Sequence, residues 1–136
     1  MATFRLQVVS MDGLEYDGEV QRIKLRTIHG DLAILARHMN YVTAIGMGTA
    51  KVTMADGTER QAACIGGMLS MMDNHCRVIP TTWEWEEDID VARAMEAKKR
   101  AEEKLAQSNL DEVSKVKAEA RLYRALVRIH SADKLH

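Results

Sequence analysis

Four arginines and one aspartate offer the chemistry in this chain that is most open to reading. Asp90, Arg93, Ala97 and Arg100 follow an i, i+3, i+7, i+10 spacing, which lines one face of a helix. Arg124 and Arg128 stand at i, i+4 and share a face on a second segment. Folding the two segments back on each other about Asn109 puts Arg93 opposite residue 125, level with Arg124. Guanidiniums gathered this way repel one another unless an anion joins them, and their planar forks suit phosphate oxygens. The competing reading is a solvated basic face neutralised by Glu96, Glu102, Glu103 and Glu119, the ordinary state of surface charge. Spacing alone leaves both readings open.

Other residue types form no constellation. There is no Gly-x-x-x-x-Gly-Lys-Ser/Thr phosphate loop and no Gly-x-Gly-x-x-Gly fingerprint; Gly46-Met47-Gly48 lacks the third glycine and a following helix. His29, His38 and His75 have no metal-ligand spacing. Ser10 and Ser70 sit in no nucleophile elbow. Cys64 and Cys76 have no Cys-x-x-Cys spacing, which suggests neither a zinc cage nor a disulfide framework. Trp83 and Trp85 alternate on a last strand and read as packing or an interface; the nine methionines read as adaptable packing. The expectation is a chain without a catalytic site of its own.

The elements that must position the arginines follow from composition. All eight glycines lie at or before Gly67, the only proline is Pro80, and Thr81 to His136 has neither, so a glycine-punctuated part precedes a helical one. Residues 1–87 carry 8 basic and 11 acidic side chains; residues 88–136 carry 11 basic and 9 acidic. With 136 residues the chain has room for one ordinary domain, or a small domain with an appendage, and its net charge of −1 lacks the basic excess of a general nucleic-acid binder. It shows no basic-then-apolar leader at Met1-Ala2-Thr3-Phe4-Arg5 and no apolar run long enough to span a bilayer.

In the first part Phe4, Leu6 and Val8 alternate with polar neighbours, as do Ile23, Leu25 and Thr27. Ala50, Val52 and Met54 alternate into Asp56-Gly57, a strong hairpin signal. Gly66-Gly67 separates two short runs, Ala62–Ile65 and Met68–Met72, and Asp73-Asn74 is another turn. Turns this frequent predict a β-sandwich or barrel. In the second part Asp88 is the expected N-cap for a helix from Ile89 to about Ala106, and Gln107–Asp111 the turn into another helix. Val113, Val116, Ala120, Tyr123 and Val127 form one stripe of that helix; Ala118, Leu122, Ala125 and Ile129 form its neighbour. So thin a stripe predicts a hairpin that docks on something.

At this point a resemblance enters. The run from Glu86 to Glu102, EEDIDVARAMEAKKRAE, is similar to the start of the helical domain of the epsilon subunit of bacterial F-type ATP synthases. Gly30-Asp31-Leu32-Ala33-Ile34-Leu35-Ala36-Arg37-His38 is similar to that family's Gly-(Glu/Asp)-Leu-Gly-Ile-Leu-Pro-Gly-His stretch, with Ala36-Arg37 in place of Pro-Gly. Ile65-Gly66-Gly67-Met68-Leu69 resembles its double-glycine turn. The opening Val8-Val9-Ser10-Met11-Asp12-Gly13, with Tyr16 and Gly18, also resembles it.

The resemblance implies an α+β chain: a β-sandwich of about ten strands over residues 1–86, then an antiparallel two-helix hairpin over 87–136. It implies a non-catalytic central-stalk subunit of a proton-driven F-type ATP synthase, peripheral on the cytoplasmic face of the cell membrane. The implied partners are the gamma subunit and the c-ring, and the alpha/beta catalytic head when the hairpin extends. The extended hairpin of family members inhibits ATP hydrolysis, and in several members the folded hairpin binds ATP without turning it over. The family's (Ile/Leu)-Asp-x-x-Arg-Ala motif stands here as Ile89-Asp90-Val91-Ala92-Arg93-Ala94. Carried over, Ile89 and Asp90 hold the base, Glu84 lies on the adenine side, and Arg93, Arg100, Arg124 and Arg128 hold the phosphates. Mg²⁺ enters only as the companion of the nucleotide, since the sequence indicates no ligand set for it. The alternative is a free-standing ATP-sensing module with no rotary partner.

Overall fold

The structure, a computed structural model, describes residues 2–132; the last four residues of the expected hairpin domain lie outside the described residues. Seven strands come first: β1 (Phe4–Ser10), β2 (Gly13–Thr27), β3 (Gly30–Leu35), β4 (Tyr41–Ala44), β5 (Met47–Met54), β6 (Glu59–Met72) and β7 (His75–Trp85). Two helices follow, α1 (Val91–Leu105) and α2 (Glu112–Ala132).

The strands run in the order β1-β7-β6-β5-β2-β3, with β4 beside β6, and β1 also pairs with β2, so the path closes on itself. All pairings are antiparallel except β1 with β7. Counting the two long strands that change neighbours as halves gives nine, close to the expected count of about ten. Thus β2 pairs with β1 through Val20 and with β3 from Arg22 on, and β6 leaves β5 after Ile65 and takes up β4 at Met68.

The alternations close the core. Phe4, Leu6, Val8, Ile23, Leu25, Ala50 and Val52 are all buried inside, joined from β6 and β7 by Leu69, Met71, Val78, Trp83 and Trp85. Each large aliphatic side chain buried this way contributes about 1.5–3 kcal/mol. At Asp56-Gly57 the expected turn forms: Gly57 has φ +90, and the Thr58 N–H donates to Asp56 Oδ1 at 3.0 Å. Asp73 and Asn74 both take positive φ between β6 and β7.

Gly66-Gly67 is different from expectation. It does not end a strand; β6 continues through it, in unbroken register with β7. Both residues are left-handed, and a Cβ on Gly67 would lie 2.2 Å from the Ile79 carbonyl oxygen, so β7 approaches a backbone that has no room for a side chain. In the loop after β3, Arg37 takes φ 64 at the place where the resembling family has glycine, and its N–H donates to Asn74 Oδ1 at 2.7 Å.

Candidate functional site

Strand β7 builds one wall of a cleft. Its alternation sends Trp83 and Trp85 into the sandwich and Glu84 outward. Trp85 is fixed on several sides: Trp83 edge-on at 5.2 Å, Tyr16 edge-on at 6.2 Å, and the Arg60 guanidinium 3.7 Å from its ring centre. Arg60 in turn donates to Glu87 Oε1 at 2.6 Å, which ties the end of β7 to the 3-10 turn Glu86–Asp88.

That turn moves the helix start. Asp88, the expected N-cap, lies inside the 3-10 turn, and the cap is Asp90, whose Oδ1 accepts from the Arg93 N–H at 3.0 Å. The cause is Ile89. Its side chain, 9% exposed, enters an apolar cluster with Ala63, Ile65 and Val127. To reach it the backbone stays extended at Ile89 and Asp90, so helical geometry begins only at Val91. Asp111 begins α2 as expected, accepting from the Ser114 N–H at 3.3 Å.

Four buried alanines form the helix–helix seam, Ala94 and Ala101 on α1 and Ala118 and Ala125 on α2. The seven-residue spacing on each helix sets Ala94 level with Ala125, and Ala101 level with Ala118. Of the two stripes read on α2, the alanine one faces α1. In the other, Val113, Val116 and Tyr123 are exposed, and Val127 is buried against the sandwich. The last turns of α2 dock on β5 and β6: the Ser131 and Thr49 hydroxyls hydrogen-bond at 2.8 Å, and Gln61 Nε2 donates to the Ser131 carbonyl at 3.0 Å. Arg128 Nε donates to Glu84 Oε1 across the same junction.

Between the helices and β7 lies a cleft of about 880 Å³. Glu84, Asp88 and Asp90 line its inner end; Arg93, Arg100, Lys104, Arg121, Arg124 and Arg128 line it from both helices over a floor of alanines. Arg100 donates to Glu96 at 2.5 Å, and that carboxylate holds the guanidinium pKa above its ordinary value. Glu102, Glu103 and Glu119, the other acids expected to neutralise the face, make no ion pair among the described residues, and neither do Arg93, Lys104, Arg121 and Arg124. The arrangement presents a cationic trough that an extended polyanion can enter, with carboxylates at one end to accept hydrogen bonds from a ligand's N–H or O–H groups.

Six of the residues carried over as a nucleotide site line this cleft: Glu84, Asp90, Arg93, Arg100, Arg124 and Arg128. Ile89 stands apart, turned into the apolar cluster beneath. Asp88, Lys104 and Arg121 line the cleft without having been singled out for it. The signal for two of them was in the spacing: Lys104 is i+4 from Arg100, and Arg124 is i+3 from Arg121. Among the described residues no three His, Cys, Asp or Glu side chains are placed to hold a metal ion.

A closed sandwich carrying a helical hairpin, with a basic cleft at their junction, defines the class: a two-part module whose ligand-sized cavity is lined from both helices and the last strand. A family model for the ATP synthase delta/epsilon chain β-sandwich domain matches residues 3–86, and one for the long α-helix domain of the same chains matches residues 87–133. The chain belongs to the ATP synthase delta/epsilon chain family. It is 39% identical over 134 residues to the ATP synthase epsilon chain of Caldicellulosiruptor bescii, covering 98% of this chain and 96% of the relative. It is 34% identical over 132 residues to that of Shouchella clausii, covering 97% and 96%. A chain in the cryo-EM structure of the Euglena gracilis mitochondrial ATP synthase shares the fold, with a TM-score of 0.84 at 23% identity, covering all of this chain and 83% of that one.

Proposed function

We propose that this chain is the non-catalytic epsilon subunit of a proton-driven ATP synthase central stalk, coupling rotor to catalytic head. In this reading its folded hairpin binds ATP as a regulatory ligand and its extended hairpin restrains ATP hydrolysis. The carrying observation is the cleft itself: cations from both helices face one cavity, and of those carried over as phosphate contacts Arg93 and Arg124 have no ion pair among the described residues. An anion bridging α1 and α2 stabilises the closed hairpin over any arrangement that separates them, by as much as it binds the closed form more tightly. Asp90 has two duties here, capping α1 and presenting its remaining oxygen at the base end of the cleft.

The sandwich supports the rotor reading by its surface. Met68 and Met72 alternate outward on β6, Ile79 faces Met68 across β7, and Val42 lies opposite Ser70 on β4; all four are about half exposed. Four exposed apolar side chains on one face, with Ser70 and Arg77 set among them, suit permanent assembly, with gamma and the c-ring as the partners.

Calorimetry of the isolated chain with ATP tests the ligand. Arg93→Ala and Asp90→Ala are each expected to weaken binding about 10- to 100-fold, the worth of one charge-assisted contact, about 1.5–3 kcal/mol. Lys115→Ala, outside the cleft, serves as the unaffected control. Absence of ATP binding at millimolar concentration, or binding by both variants as tight as by wild type, sinks the assignment.

A further inference from the structure

The cationic ladder is longer than the triphosphate it is proposed to hold. On α1 it runs from Arg93 to Lys104, about 16 Å at 1.5 Å per residue. A triphosphate, three phosphate tetrahedra in a row, cannot touch both ends. The charges are also unevenly opposed. Glu84, Asp88 and Asp90 all sit at the inner end, whereas no carboxylate is part of the cleft lining at the outer end; Glu96 pairs with Arg100 beside it, and Asp111 lies within electrostatic reach of Lys104.

Side-chain direction brings these outer cations together. Helical side chains lean towards the N-terminus of their own helix. On α1 that is the sandwich end, which biases Lys104 inward towards Arg100 while leaving it within electrostatic reach of Asp111. On α2 it is the outer end, so Arg121, level with residue 98 by the alanine register, leans outward to the same place. Ala97, Ala101 and Ala118 leave the floor open beneath them. Lys104 and Arg121 have no ion pair among the described residues, and Arg100 has only Glu96.

We propose that Lys104 and Arg121, with Arg100, form an outer phosphate subsite that continues the cleft, and that the cleft takes linear phosphate chains longer than a triphosphate. This rests on the nucleotide reading for its inner half only; the outer subsite recognises phosphate, whether carried by a nucleotide or by a free oligophosphate. Both side chains are exposed, so their removal leaves the hairpin seam intact.

The test is metal-free calorimetry on the full chain with ATP, adenosine tetraphosphate and inorganic tripolyphosphate, comparing wild type with the Lys104→Ala/Arg121→Ala variant. Adenosine tetraphosphate is expected to bind wild type about tenfold more tightly than ATP, and the variant is expected to lose that advantage while ATP changes about threefold or less. Tetraphosphate no tighter than ATP on wild type, or equal loss of both nucleotides in the variant, overturns the subsite while leaving the ATP site standing. Tripolyphosphate that binds wild type, competes with tetraphosphate and is lost in the variant supports the subsite even if ATP does not bind, in which case the nucleotide reading alone has failed and a free oligophosphate is the ligand. No binding of any of the three overturns both.

Discussion

At the residue scale, burial decides which groups are chemically available. Cys64 and Cys76 lie inside the sandwich, and desolvation of the thiolate pushes each thiol up to about 12 from an ordinary 9.0. The native thiols are therefore expected to react with a disulfide reagent at neutral pH on the order of a thousandfold more slowly than in urea, since three pH units of thiolate are missing. The linkage has a definite sign. Below pH 9 both states keep their protons; between about pH 9 and 12 only the unfolded thiols ionise, so their contribution to stability is lost as pH rises. A Cys64→Ala/Cys76→Ala chain, followed by urea unfolding across that window, should show a shallower loss of stability than wild type. An identical slope would mean the buried thiols are not the groups responsible.

At the element scale, the hairpin is held by one helix. Contacts with the sandwich come from α2, through Val127, Arg128 and Ser131, while α1 packs on α2 through the alanine seam. A seam of alanines buries little apolar area, so the pair depends on the docked end for its stability. Val127→Asp places an unpaired carboxylate against Ala63, Ile65 and Ile89, at a cost of roughly 3 kcal/mol or more. Hydrogen exchange should then show α1 and α2 losing protection together while β5 and β6 keep theirs. Retained protection in the helices would show that docking is not what holds them.

At the scale of the whole molecule, the two parts are unequal. The main core, from Phe4 to Trp85, includes no residue of either helix. Truncation after Glu86 is therefore expected to leave a folded sandwich, seen by its circular dichroism, that still co-purifies with gamma. In the assembled enzyme, deleting residues 87–136 is expected to raise ATP hydrolysis several-fold if the hairpin is the brake; an unchanged rate assigns the restraint elsewhere. No helix among the described residues is long and apolar enough to cross a membrane.

The sequence by itself determined what depends on neighbours along the chain. Period-two alternation located β1, β5 and the far half of β2, Asp56-Gly57 and Asp73-Asn74 located turns, and helical spacing placed Arg93 with Arg100 and Arg124 with Arg128 on shared faces. Tertiary structure alone decided the rest, because a residue's role there depends on what burial it competes for. Ile89 and Asp88 look like a helix start until the cluster around Ala63 and Val127 draws Ile89 in and hands the cap to Asp90. Gly66-Gly67 looks like a break until the Ile79 carbonyl shows why one strand must pass there without side chains. Of two apolar stripes on α2, packing chose the alanine one, since only small side chains let α1 approach closely enough to bring cations from both helices around a single cleft.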